Sequence, residues 1–101
     1  MSSRIMYERV VCKSGFSMSV QAHAGGYCSP RENSAERYVA VEVGFPSEPE
    51  PMLIDFAEEP DRPTETVYGY VPVQTVTNVI AKHGGMVEGT APPGVVQLWS
   101  D

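Results

Sequence analysis

The sequence predicts a small α+β domain, an antiparallel sheet of about four to six strands with one main helix packed on a face. Three observations carry that expectation. Residues 16 to 22 alternate strictly between apolar and polar side chains, residues 37 to 45 alternate again, and residues 72 to 83 repeat apolar side chains at helical spacing before a double glycine.

Along the chain, residues 5 to 12 form a weak strand candidate. The run Phe16-Ser17-Met18-Ser19-Val20-Gln21-Ala22 is the clearest strand, with Phe16, Met18, Val20 and Ala22 turned to the core. Arg37 to Phe45 is the second, with Val39, Val41, Val43 and Phe45 on one side and Tyr38, Ala40 and Glu42 on the other. These two are expected to pair antiparallel and bury Met18, Val20, Val41 and Val43 together, each apolar side chain contributing ~1.5 to 3 kcal/mol. Pro46, Pro49, Pro51, Pro60 and Pro63 keep regular structure short in the middle of the chain. Residues 52 to 56 are a further weak strand candidate. Thr64 to Val71 suits a pleated surface and sets Thr66, Tyr68 and Tyr70 on one face. The helix is expected from Pro72 to about His83, with Val73, Val76, Val79 and Ile80 at helical spacing and Lys82-His83-Gly84-Gly85 as its stop. Its N-cap falls on Val71, which offers no side-chain acceptor, so the first-turn amides look to water, a neighbour or an anion. Residues 95 to 99 are the last weak strand candidate.

A chain of 101 residues fits one domain, residues 1 to 101. Its longest apolar run, Tyr38 to Val41, is four residues, against the ~20 that a membrane-spanning helix needs. Arg4 and Glu8 flank only Ile5, Met6 and Tyr7, unlike a secretory leader, so a cytoplasmic location and reduced cysteines are expected. The formal net charge is −6, and it is unevenly spread. Glu42, Glu48, Glu50, Asp55, Glu58, Glu59, Asp61 and Glu65 face only Arg62 within residues 42 to 65, a local charge of −7. Nucleic-acid binding is not expected from such a balance, since phosphate contacts need clustered Lys and Arg. The acidic segment either solvates a Pro-rich loop or meets a basic partner.

The chain holds no GxxxxGK[ST], GxGxxG, HExxH, CxxC or GxSxG motif, so neither an enzyme activity nor a cofactor is expected. Cys12, His23, Cys28 and His83 are the only Cys and His residues; their spacing matches no zinc module, and no metal site is expected. Buried small hydrophobes are the default for both cysteines, ahead of a disulfide or a Cys28 nucleophile with His23 or His83 as base. A capping role at the helix end accounts for His83, and exposure at a strand end for His23. The most informative stretch is residues 24 to 36, a connection longer than a tight hairpin needs. Gly25 and Gly26 allow close backbone approach, Tyr27 offers a stacking face, Ser29 a hydroxyl and Arg31 a fork for phosphate or carboxylate. The competing possibility is a polar loop in which Arg31 pairs with Glu32 or Glu36. Tyr68 and Tyr70, just before the uncapped helix start, form a second candidate surface, against the commoner fate of cross-strand packing.

The segments CKSGFSMSVQA (12 to 22), YCSPR (27 to 31), VEVGFPS (41 to 47), PTETVYGYVP (63 to 72) and VIAKHGG (79 to 85) together resemble a family of small uncharacterised accessory proteins of tailed phages and prophages. That resemblance carries no assigned site. It implies a phage accessory protein, and by analogy a counter-defence factor in the cytoplasm of an infected bacterial host. The expected function is therefore non-enzymatic sequestration of a small anionic, nucleotide-type immune signal, with Tyr27, Ser29, Arg31, Tyr68 and Tyr70 as the binding residues. Self-association is expected from a small core and an open sheet edge. The rival expectation is an acidic, anti-CRISPR-like inhibitor that mimics nucleic acid and docks on a basic host defence protein.

Overall fold

The computed structural model describes residues 7 to 101. Five antiparallel strands form one sheet in the order β4-β3-β2-β1-β5: β1 Val10–Cys12, β2 Ser17–Gln21, β3 Ala40–Gly44, β4 Val67–Pro72 and β5 Met86–Glu88. A single helix, α1, spans Val73–Lys82. It starts where β4 ends at one edge of the sheet and delivers the chain to β5 at the other. No helix among the described residues is long and apolar enough to cross a membrane.

The alternation in β2 puts Phe16, Met18, Val20 and Ala22 in the core, as period two requires. β2 and β3 pair antiparallel, with Val20 opposite Val43 and Gln21 opposite Glu42. Met18, Val20, Val41 and Val43 are all fully buried. The helix closes this face with Val76, Thr77, Val79 and Ile80. It stops at His83, and Gly84 and Gly85 follow with φ of 91° and 89°, a conformation that only glycine adopts without strain. Gly94 is a second forced glycine: at φ 112°, an added Cβ would lie 2.2 Å from the Tyr38 carbonyl oxygen.

Several expectations are corrected at element ends. Val39 and Phe45 are exposed, and Tyr38 is buried, because the second strand runs only from Ala40 to Gly44. Phe45 has φ 50°, which breaks the alternation at the strand's exit, while the Tyr38 hydroxyl donates to the Glu32 carbonyl at 2.6 Å. Residues 52 to 56 form no strand; Ile54–Phe56 is a 3-10 turn among the prolines. Of residues 95 to 99 only Trp99 pairs, in an isolated bridge to Met86. Within residues 5 to 12 the strand is β1, and residues 5 and 6 lie outside the described residues. β5 has no counterpart in the sequence pattern, since Met86-Val87-Glu88 is too short to show a period. Pro72 is the N-cap of α1 rather than its first residue, and the Val73 amide donates to the Val39 carbonyl at 3.1 Å.

Candidate functional site

The connection from β2 to β3 folds back over the outer face of the sheet. The Ser29 amide donates to the Ala40 carbonyl at 3.0 Å, and the Val39 amide to the Ser29 carbonyl at 2.8 Å, so this part of the loop is tied to the start of β3. Ser29 is thus held in place through its backbone. One turn earlier, the Tyr27 carbonyl accepts from the Tyr70 amide at 2.9 Å, and the Tyr27 Cβ lies 3.2 Å from where a Cβ on Gly69 would stand. A side chain at position 69 would push the loop back by a few tenths of an ångström, so glycine there suits this close approach to β4.

Gly69 and Tyr70 occupy an irregularity in the pairing of β3 with β4: Val41 faces Val71 and Val43 faces Tyr68, with one residue of β3 between the pairs and two of β4. Two residues against one is a β-bulge. The bulge corrects the expected face. Thr66 and Tyr68 point inward, but Tyr70, with φ 52°, points outward. Tyr68 is fully buried and its hydroxyl donates to the Pro63 carbonyl, so it belongs to the core, and burial pushes its hydroxyl pKa up. Tyr27 and Tyr70 do come together. They are 44% and 48% exposed, and their ring centroids stand 6.0 Å apart at 40°. That spacing lies within the range of directly packed aromatic pairs, so the two rings form one surface with no base-sized gap between them. Arg31 is exposed two residues beyond Ser29. The alternative pairing with Glu32 or Glu36 is not formed, and Arg31 takes part in none of the ion pairs among the described residues.

The residue that sequence reasoning passed over is Glu42. It is the β3 residue opposite the bulge, and its Oε1 accepts the Tyr27 amide at 3.0 Å. Its position between two inward valines gives its outward direction from sequence; nothing there shows that the loop returns to it.

The acidic segment divides. Glu50 is only 2% exposed; its Oε2 accepts the Met52 amide and Lys82 Nζ, each at 2.9 Å, and its Oε1 pairs with His83 Nε2 at 2.7 Å. Burial pushes its carboxyl up, but the Met52 amide, Lys82 and His83 outweigh that and hold it below the ordinary carboxylate range. His83 is therefore more than a helix cap: its ring stacks on Phe16 at 4.1 Å, and its Nδ1 lies 3.1 Å from Ser14 Oγ. Glu65 pairs with Arg62, whereas Glu48, Asp55, Glu58, Glu59 and Asp61 are exposed. Both cysteines are buried free thiols, and no cluster among the described residues could hold a metal ion.

Two concavities lie away from the aromatic pair. One, of about 360 Å³, is lined by Glu8, Arg9, Glu88 and Gly89. Its guanidinium is already committed to Ser17 and to the Phe45 carbonyl, leaving two carboxylates that repel an anion. The other, about 210 Å³, is apolar, between Pro49, Pro51, Ile54 and Pro63 beside Glu50. The bulge, with its aromatic pair and neighbouring carboxylate, is the feature that combines exposure, rigidity and directional polar groups. No family model, curated protein or solved structure matches the chain.

Proposed function

We propose that this chain is a non-enzymatic binding protein that captures a small anionic ligand of nucleotide type, stacking its base on Tyr27 and Tyr70 and gripping a phosphate with Arg31. The observation that carries this reading is Tyr70: a bulky residue held at positive φ with its ring in solvent, beside a second exposed ring that is fixed to it through the backbone. Such strain costs roughly 1–3 kcal/mol and collects at ligand sites. Stacking needs no reaction, and each base contributes roughly 1–3 kcal/mol on an aromatic face. In the setting that the resemblance implies, a phage accessory protein in the host cytoplasm, the ligand is an immune signal. Self-association belongs to the same proposal, because Val87, Val96, Leu98 and Trp99 leave apolar surface exposed.

Calorimetry against cyclic dinucleotides, cyclic oligonucleotides and ADP-ribose derivatives tests the reading. Arg31→Ala is expected to weaken binding by ~1.5 to 3 kcal/mol, about tenfold to over a hundredfold, with a smaller or similar loss for Tyr27→Ala and almost none for Glu36→Ala. Heat from no ligand, or binding indifferent to Arg31→Ala, would overturn it. The second reading, an acidic inhibitor docking on a basic defence protein, draws on exposed Glu48, Asp55, Glu58, Glu59 and Asp61. It requires an association that weakens steeply with salt, since such charges are screened over ~10 Å at 0.1 M.

A further inference from the structure

We infer that Glu42 makes the Tyr27–Tyr70 surface selective for guanine among the bases. This rests on the nucleotide-binding reading and adds the identity of the base. The carboxylate stands opposite the Gly69–Tyr70 bulge on the outer face of the sheet, so it shares that face with the ring that the bulge turns outward. Its Oε1 holds the Tyr27 amide at 3.0 Å and lies 3.4 Å from where a Cβ on Gly26 would stand, which fixes the carboxylate against the loop that carries the other ring. A carboxylate has about four acceptor positions and no donor, and the Tyr27 amide fills one of them.

A negative charge beside an anion site needs a reason, and the polarity of a nucleotide supplies one. The phosphate end calls for a cation, which Arg31 offers, while the base end carries no charge and is read by hydrogen bonds. Guanine alone presents two adjacent donors, N1–H and N2–H, which a carboxylate accepts as a charge-assisted pair. Adenine and cytosine set one amino donor next to a ring-nitrogen acceptor, and uracil sets its single N3–H between two carbonyl acceptors. For these bases a carboxylate gains one bond and meets a lone pair. A bidentate contact of this kind is worth roughly 1–3 kcal/mol of discrimination, about fivefold to a hundredfold or more in affinity.

The test is an NMR titration of the full chain with GMP, AMP, CMP and UMP, which share the ribose phosphate and differ only in the base. GMP is expected to bind about tenfold or more tightly than the others and to shift the amide resonances of Tyr27, Glu42 and Tyr70. Glu42→Gln keeps an oxygen to accept the Tyr27 amide but presents an amino group to the base. It is expected to lower GMP affinity about tenfold while changing AMP, CMP and UMP by about twofold or less. Binding at these resonances without preference for GMP, or a preference that survives Glu42→Gln, overturns the guanine inference and leaves the binding site standing. Absence of shifts at Tyr27 and Tyr70 with all four nucleotides overturns the site and the inference together.

Discussion

Glu50→Ala should unfold this protein far more readily than its place in a charged, Pro-rich segment suggests. Removing one member of a buried ion pair typically costs ~3–5 kcal/mol, because the partner stays behind. Here the Lys82 side chain is 46% exposed and can return to water, so its share is small. The His83 side chain is 13% exposed and stacked on Phe16, so it loses its acceptor inside the protein, while the partly buried Met52 amide loses its own at the edge of the network. Two hydrogen bonds to a buried charge, at ~1.5–3 kcal/mol each before relaxation, give an expected loss of about 3–4 kcal/mol. For a chain of this size that lowers Tm by roughly 12–30 °C, at about 4–8 °C per kcal/mol. The carboxyl is lowered on folding, so its stabilisation is present above its unfolded pKa of ~4.3 and is lost as pH falls through the folded value. Guanidinium unfolding followed by far-ultraviolet circular dichroism at a series of pH values measures both effects. The stability gap between wild type and Glu50→Gln should be full at pH 6 and close as pH drops below ~4. A loss under ~1 kcal/mol for Glu50→Ala, or a gap unchanged from pH 6 to pH 3, would refute the charged network.

Two further substitutions separate core from site. Tyr68→Phe removes a buried hydroxyl that donates to the Pro63 carbonyl; it should cost ~0.5–1.5 kcal/mol in chemical unfolding and leave nucleotide affinity unchanged. Tyr70→Asn places a residue that tolerates φ 52° at the bulge, so stability should hold or rise by up to about 1 kcal/mol while nucleotide binding, read by calorimetry, falls about tenfold.

Where period and burial agree, the sequence carries the fold. Phe16 to Ala22 alternates without interruption and lands in register, and the spacing of Val76, Val79 and Ile80 matches the buried side of α1. The same pattern misleads where the backbone leaves its regular conformation. Val39 lies just before β3, where the returning loop meets the strand at Ser29, and Phe45 lies outside it because its φ is positive. Neither event has a local signature in side-chain type. Glu50 is hidden for a different reason. Between Pro49 and Pro51 it reads as one more solvated acid, and only the tertiary approach of Lys82 and His83, more than thirty positions away, makes its burial tolerable.

The candidate site was legible in its parts and not in their arrangement. The length and glycines of the loop, and the aromatic character of Tyr27, mark it in the sequence because a connection longer than a hairpin needs is either a functional loop or a plain polar one. The union of Tyr27 with Tyr70 was not legible, because it depends on one extra residue in β4. Without the bulge, period two would put Tyr68 and Tyr70 on the same side, and both rings would be spent on the core. With it, Tyr68 stays under the sheet, Tyr70 crosses to the face that the loop covers, and Gly69 leaves the space through which Tyr27 reaches it. The bulge also decides which residue of β3 lies opposite, and that residue is Glu42, which then anchors the Tyr27 amide. One inserted position therefore sets the stacking ring, its partner and the neighbouring carboxylate at once, and a Glu42→Gln effect confined to GMP would follow from that geometry.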